Sequence, residues 1–186
     1  MNEPKAFVIG WPVAHSRSPL IHRFWLERHG IEGDYLREAV KPDALDHFLS
    51  SFRARGFVGG NVTLPHKEAA ARACRTLTDV AGRLGAANTL WIEDGRLCGD
   101  NTDVYGFSAN LDQGAPGWRG GGTAIVIGAG GASRAVLQAL IEAQFRSVLV
   151  LNRTPARAEA LAAQFGRPAE AGGMGSLGRL VAGADL

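Results

Sequence analysis

Short apolar segments that alternate with amphipathic helical segments predict an α/β protein whose N-terminal part carries a mixed, mostly parallel sheet. Residues 113–122 hold five glycines and a proline in ten positions, a composition that marks a domain boundary. Beyond it an apolar run, a glycine-rich turn, a helical stretch and a second apolar run follow within about thirty residues, the order of a dinucleotide-binding βαβ unit. The predicted organisation is therefore a first domain at 1–112, a Gly/Pro-rich linker at 113–122 and a second domain at 123–186.

Composition bounds the chemistry. The 186 residues are 46% hydrophobic and include 25 glycines, so tight turns and close approaches of backbone to ligand are expected. The 20 basic and 18 acidic residues are spread without a run and leave a formal charge of +2, which argues against a nucleic-acid partner. The isoelectric point near 8.8 suits small anionic ligands. Cys74 and Cys98 lie in neither a CxxC pair nor a histidine-flanked pattern, so they read as reduced, structural thiols and no metal site is expected. No apolar run approaches the ~18 residues of a membrane span, and the N-terminus lacks a signal-peptide pattern. The expectation is a cytoplasmic protein, monomer or homodimer, that handles a small molecule and has no membrane partner.

In chain order, residues 6–9 read as a strand ended by Gly10-Trp11-Pro12. Ser18-Pro19 reads as a helix start, serine at the N-cap and proline at the first helical position, with Ile21, Phe24 and Trp25 at helical spacing up to Gly30. Capping accounts for Ser18 alone, but a helix N-terminus also favours anions, so Ser16 and Ser18 together could hold a carboxylate. Residues 35–40 predict a strand, and 43–55 a helix with Leu45, Phe48, Leu49 and Phe52 on one face.

The stretch Asn61-Val62-Thr63-Leu64-Pro65-His66-Lys67 then follows the apolar Phe57-Val58. Pro65 cannot donate to a ladder, which puts Lys67 at a strand-to-helix junction, and period-two alternation turns Asn61 and Thr63 to one side. That side could grip a polar ligand; equally, Asn61 and Thr63 could bond local backbone and Lys67 be solvated. Residues 68–74 and 80–84 predict two short helices, and Asp94-Gly95 a hairpin turn between 86–93 and 96–99, with Asn88 at the start of the first arm. Asp103 opens a helix at 104–111 expected to carry Tyr105, Phe107 and Leu111 inward, where capping is its plain role.

In the second domain, Thr123-Ala124-Ile125-Val126-Ile127 reads as a strand buried on both faces. It runs into Gly128-Ala129-Gly130-Gly131-Ala132-Ser133, a helix at 134–143 and a strand at 148–151. This context makes the glycine turn a Rossmann-type fingerprint, with Ser133 at the third glycine position. The residue after the second strand is Asn152, not an acid, and Arg153 with Arg157 one turn on could clamp a ribose 2′-phosphate. NADP is therefore preferred to NAD. Thr154-Pro155 caps the helix that follows, to Phe165, and both readings can hold together.

Five motifs, taken together, resemble the shikimate dehydrogenase family in order and spacing: Ser16-Arg17-Ser18-Pro19, Asn61-Val62-Thr63-Leu64-Pro65-His66-Lys67, Gly85-Ala86-Ala87-Asn88-Thr89, Gly99-Asp100-Asn101-Thr102-Asp103 and Gly128-Ala129-Gly130-Gly131-Ala132-Ser133-Arg134. The resemblance implies that Ser16 and Ser18 bind the substrate carboxylate with help from Thr63, that Asn61, Asn88 and Asp103 hold ring hydroxyls, and that Lys67 and Asp103 form the catalytic pair. It implies NADP at Gly128, Ala129, Gly130, Gly131, Ala132, Asn152, Arg153, Thr154 and Arg157, and reversible hydride transfer between NADPH and 3-dehydroshikimate to give shikimate, in aromatic amino-acid synthesis. A paralogue acting on quinate is the enzymatic alternative, and a non-catalytic ligand-binding module the alternative from another class. The resemblance also implies that 123–186 is the first half of an incomplete nucleotide-binding domain, its third strand expected to begin at Ala184-Asp185-Leu186, so that, if residues 1–186 were the entire polypeptide, the first domain would bind shikimate weakly and the chain would not turn it over.

Overall fold

The structure is a computed structural model that describes residues 3–186. It divides into two compact units, Met1–Asn101 and Thr102–Leu186.

The first unit is built on one six-stranded sheet. Its strands are β1 (Lys5–Gly10), β2 (Asp34–Ala39), β3 (Phe57–Val62), β4 (Thr76–Leu77), β5 (Thr89–Glu93) and β6 (Arg96–Asp100), arranged in the order β2-β1-β3-β5-β6-β4. β1 pairs in parallel with β2 and β3, and β4 with β6, while β3–β5 and β5–β6 are antiparallel. The mixed, mostly parallel sheet expected from the alternation of elements is present. The β5–β6 hairpin turns at Asp94 and Gly95, both at positive φ (50° and 73°), as a tight primed turn requires. β4 is two residues long and has too few side chains to announce itself in the sequence.

The helices of this unit are α1 (Ser18–Arg28), α2 (Leu45–Ser51), α3 (Lys67–Ala73) and α4 (Asp79–Leu84). Period-two alternation along β1 separates two faces. Phe7 and Ile9 join the main core with Leu45, Phe48, Leu49 and Phe52 of α2, where the Phe7 ring meets Phe48, Phe52 and Phe57 edge-on at 5.0–5.4 Å. Ala6 and Val8 lie on the opposite face with Val13 and Tyr35. α2 is shorter than its sequence pattern suggests, preceded by a 3-10 turn at Pro42–Ala44 and followed by turns to Gly56. α1 departs from expectation in two ways. Arg17 occupies the N-cap and Ser18 is already helical, because the Ser16 hydroxyl accepts the Ser18 N–H and does the capping from two residues upstream. Pro19 is the one buried residue of α1, whereas Leu20, Ile21, Phe24 and Trp25 are exposed, Leu20 to 70%.

The second unit contains α5 (Asp103–Gly114), the parallel strands β7 (Thr123–Ile127), β8 (Ser147–Leu151) and β9 (Ala169–Gly172) in sequential order, and the helices α6 (Gly131–Glu142) and α7 (Pro155–Phe165). The division between units therefore falls ahead of the glycine-rich stretch expected to mark it. α5 belongs to the second unit because Phe107 and Leu111 pack on its core. Residues 113–122 fold there too: Trp118 is buried between Phe107 and Phe145, its Nε1–H donates to Asp112 at 2.9 Å, and Arg119 grips the same carboxylate from two nitrogens. Tyr105, expected inward, is 79% exposed. It lies off the Val104–Phe107–Leu111 stripe, since residues two apart on a helix do not share a face.

The third strand is β9, not the segment ending at Leu186. Residues 185–186 instead run along β7, where Asp185 N–H donates to Thr123 at 2.8 Å and Ile125 N–H to Leu186 at 2.9 Å. Strand residues bond alternately to either side, so these two bonds lie on the β7 edge away from β8. That is the place of the fourth strand in a 3-2-1-4 doubly wound order.

Candidate active site

On the α1 face of the first sheet the parallel register puts Arg37, Val8 and Asn61 in one row, with Thr89 opposite Asn61 on β5. Around that row four of the predicted residues, Ser16, Ser18, Asn61 and Asn88, fall into two clusters. Ser16 donates to Ser18 Oγ at 3.2 Å, and Arg37 holds the Ser16 carbonyl from Nε and Nη2 at 2.8 and 2.5 Å, fixing the loop that presents both hydroxyls. Asn61 forms the second cluster. Its Nδ2 donates to the Asn88 carbonyl and to Thr89 Oγ1, both at 3.2 Å, and its Oδ1 accepts from Tyr35 Oη at 2.5 Å. Thr89 Oγ1 passes its own proton to Asn88 Oδ1 at 2.9 Å.

Thr63 follows β3 directly, its N–H donating to Ile9 at 2.8 Å and its carbonyl accepting from His66 N–H at 3.0 Å. The Leu64–Pro65 bond inside that turn is cis. His66 is 2% exposed and anchors the turn to the neighbouring strand end: Nε2 lies 2.7 Å from the Val40 carbonyl, which can only accept, so Nε2 carries the proton. Lys67 is thereby set at the first position of α3, and its carbonyl receives Ala87 N–H at 2.9 Å, tying it to the Asn88 segment. Below, the Thr78 hydroxyl and Asn101 N–H both bond one oxygen of Asp100 at 2.5 and 2.7 Å, and buried Asn101 donates to the Ala86 carbonyl. These bonds hold Ala86-Ala87-Asn88 to the end of β6.

Sequence reasoning did not single out Tyr35, Arg37, His66, Thr89 or Asp100. The alternation of Tyr35 and Arg37 along β2 was a signal for a common face, but the sequence does not say which strands lie beside β2. A cavity of about 430 Å³ opens between α1 and the sheet and is lined by His22, Trp25, Tyr35, Asn61 and Thr89 among others. Ser16, Ser18, Thr63 and Lys67 lie outside its lining, so it meets the site at the Asn61–Thr89 end alone.

Electrostatically, burial pushes the Tyr35 phenol well above its ordinary range despite the bond to Asn61, which keeps the hydroxyl protonated. Burial likewise pushes the Cys74 thiol up to about 11, with Cys98 adding to the effect, so this free cysteine stays a thiol at neutral pH.

In the second unit Asp103 is the first residue of α5. The glycine turn joins β7 to α6: Gly128, at φ +112°, donates to the Leu151 carbonyl at 2.7 Å, and Ser133 Oγ accepts Gly130 N–H at 3.3 Å. Ser133 therefore braces the turn from inside, and α6 begins at Gly131, ahead of the expected Arg134. Ala129 and Ala132 complete the turn, no acid stands in the first turn of α6, and a side chain at Gly130 would meet open space. That is the constitution of an anion cradle. Asn152 donates to the Thr154 carbonyl at 3.0 Å, Thr154 takes the N-cap of α7 without a side-chain capping bond, and Arg153 and Arg157 are exposed beside it.

Residues 8–90 match the family described as the shikimate dehydrogenase substrate binding domain, and residues 119–186 the family described as shikimate / quinate 5-dehydrogenase. The crystal structure of shikimate dehydrogenase from Aquifex aeolicus superposes with a TM-score of 0.89 at 33% identity, over 99% of this chain and 68% of that one. The chain belongs to the shikimate dehydrogenase family. Its similarity to the NADP(+) shikimate dehydrogenase of Brucella melitensis biotype 2 is 56% identity over 182 residues, 98% of this chain and 63% of that protein. The shikimate 5-dehydrogenase of Thermus thermophilus, solved in complex with NADP(H) and shikimate, matches at TM-score 0.80 and 45% identity over 90% of this chain and 62% of that one. The chain thus spans about 63% of the length of the Brucella relative. Among the described residues no helix is long and apolar enough to cross a membrane, and no group of three or more His, Cys, Asp or Glu could hold a metal.

Proposed function

We propose that this chain interconverts 3-dehydroshikimate and shikimate with NADP(H), in the cytoplasm, and that Lys67 and Asp103 are its catalytic pair. The observation that carries the reading is the gathering, on one face of the first sheet, of the Ser16–Ser18 hydroxyl pair and the linked Asn61, Thr89 and Asn88, with the Lys67 carbonyl bonded to the residue before Asn88.

Two hydroxyls braced by Arg37 suit a carboxylate, with Thr63 at the neighbouring strand end assisting. Asn61 and Asn88, held by backbone and by each other, suit ring hydroxyls, and Asp103 is the proposed third hydroxyl ligand. A ketone oxygen that gains hydride develops alkoxide charge, which the Lys67 ammonium stabilises and protonates; in the reverse direction the same amine takes up the proton. The glycine turn fits a pyrophosphate, since Gly128, Ala129, Gly130, Gly131 and Ala132 lead into a helix end free of acidic residues. Arg153 and Arg157, with Asn152 and Thr154 at the strand end, would hold the 2′-phosphate. When bound, NADP(H) supplies or accepts the hydride.

The test is shikimate-dependent NADPH formation by the purified protein, followed by absorbance, alongside calorimetric titration of shikimate. Binding and turnover with shikimate and NADP are expected. A protein that neither binds shikimate nor reduces NADP in its presence would sink the reading.

A further inference from the structure

Asn61 can bond in only one sense. The Asn88 carbonyl accepts and cannot donate, so the amide edge 3.2 Å from it must be Nδ2. The second Nδ2 proton goes to Thr89 Oγ1, whose own proton goes to Asn88 Oδ1. Oδ1 of Asn61 therefore faces Tyr35 Oη, and Tyr35 is the donor, at 2.5 Å. Protons run one way along Tyr35, Asn61, Thr89 and Asn88. Both N–H groups of Asn61 are used inside the protein, and the second lone pair of Oδ1 is what it has left to offer.

Tyr35 stands on β2, two strands from Asn61, and its phenol spans β1 to reach it. The ring is held in place by His22, stacked on it at 4.0 Å and 14°, and His22 Nδ1 in turn donates to the Ser18 carbonyl at 2.8 Å. One side chain thus links the helix start that presents Ser18 to the amide on β3. Burial suppresses ionisation of the phenol, so it remains a donor.

We propose that Tyr35 is a positioning residue for Asn61, fixing the amide so that Asn61 meets the substrate solely as a hydrogen-bond acceptor from a ring hydroxyl. This rests on the reading that Asn61 touches shikimate. Without the phenol hydroxyl the amide keeps its sense, set by the Asn88 carbonyl, but loses the bond that holds Oδ1 in place, which should weaken the bound substrate while leaving the cofactor untouched.

The experiment compares wild type, Tyr35→Phe, Asn61→Ala and the double variant, by titration with shikimate and NADP and by steady-state kinetics. Tyr35→Phe is expected to raise the shikimate Kd and KM roughly five- to twentyfold, in keeping with one lost hydrogen bond. NADP affinity and kcat should stay close to wild type. In the Asn61→Ala background the same change should add nothing, since a residue that acts through Asn61 has no route without it. Wild-type shikimate affinity for Tyr35→Phe, or a full additive loss in the double variant, overturns the proposal while leaving the site assignment standing. Wild-type affinity for Asn61→Ala shows instead that Asn61 is not a ligand, and removes both. Should Tyr35→Phe not fold by circular dichroism, Thr89→Val breaks the next link to Asn61 and is expected to raise the shikimate Kd in the same range, with unchanged shikimate affinity overturning the proposal.

Discussion

His66 Nε2 donates to the Val40 carbonyl at 2.7 Å, with the ring 2% exposed. This bond joins the turn before α3 to the segment after β2, so the position of Lys67 depends on a neighbour that takes no part in chemistry. His66→Ala should cost about 1–3 kcal/mol of unfolding free energy, from an unpaired carbonyl and a vacated buried site. It should also lower turnover by displacing α3. Thermal and denaturant melts check the first effect; an unchanged midpoint would count against the anchoring role.

Lys67→Ala separates chemistry from packing. The side chain is half-buried at the first position of a seven-residue helix, so its loss should leave the melting temperature nearly unchanged. The kcat should fall roughly 10²–10⁴-fold, the usual contribution of a positioned proton donor. A kcat within about tenfold of wild type would remove Lys67 from the catalytic pair.

Arg153→Asp tests cofactor choice. Arg153 is exposed beside the N-cap of α7. Charge-assisted bonds to phosphate contribute about 1.5–3 kcal/mol, so exchanging the guanidinium for a carboxylate should weaken NADP binding tenfold or more and NAD binding little. Equal losses in fluorescence titrations with the two cofactors would exclude the clamp.

Acid should loosen the second unit at two marked places. The Thr123 and Gly122 N–H groups hold the Asp185 carboxyl below its ordinary value of 3.8, and Arg119 with the Trp118 indole does the same for Asp112. A depressed folded-state pKa contributes stability above the unfolded value, lost as pH falls through the folded one. The pH window is therefore below about 4. Amide shifts of Gly122 and Thr123, and the fluorescence of Trp118, should move together there. Asp112→Asn should remove the acid dependence of the tryptophan signal, and a persisting transition would point to another group.

Much of the fold was legible because local chemistry and tertiary structure agree. Asp94-Gly95 makes its turn, Leu45, Phe48, Leu49 and Phe52 share a buried face, and the glycine turn joins a parallel strand to a helix. What escaped was non-local. β9 carries Ala-Glu-Ala-Gly, which has no strand signal and is recruited by the free edge of β8. The glycine-rich stretch read as a linker because its composition hides what Trp118 does among Phe107 and Phe145. The polar residues of the proposed site announced themselves as motifs, but Tyr35 supports them from another strand, and His66, inside its motif, does so through a bond to Val40 that the sequence does not show. No spacing in the sequence reveals that a phenol on β2 crosses β1 to reach Asn61.

The two bonds from residues 185–186 to β7 have a dynamic consequence. Bonded to residues 185–186 on the edge away from β8, the Thr123 and Ile125 amides of β7 are covered, and their hydrogens should exchange with deuterium chiefly through cooperative opening of the unit. The amides on the outer edge of β9, paired on one side alone, should exchange orders of magnitude sooner, through fraying. Protection should thus decline stepwise from β7 through β8 to β9, making the strand that leads into the glycine turn the slowest-opening part of the unit.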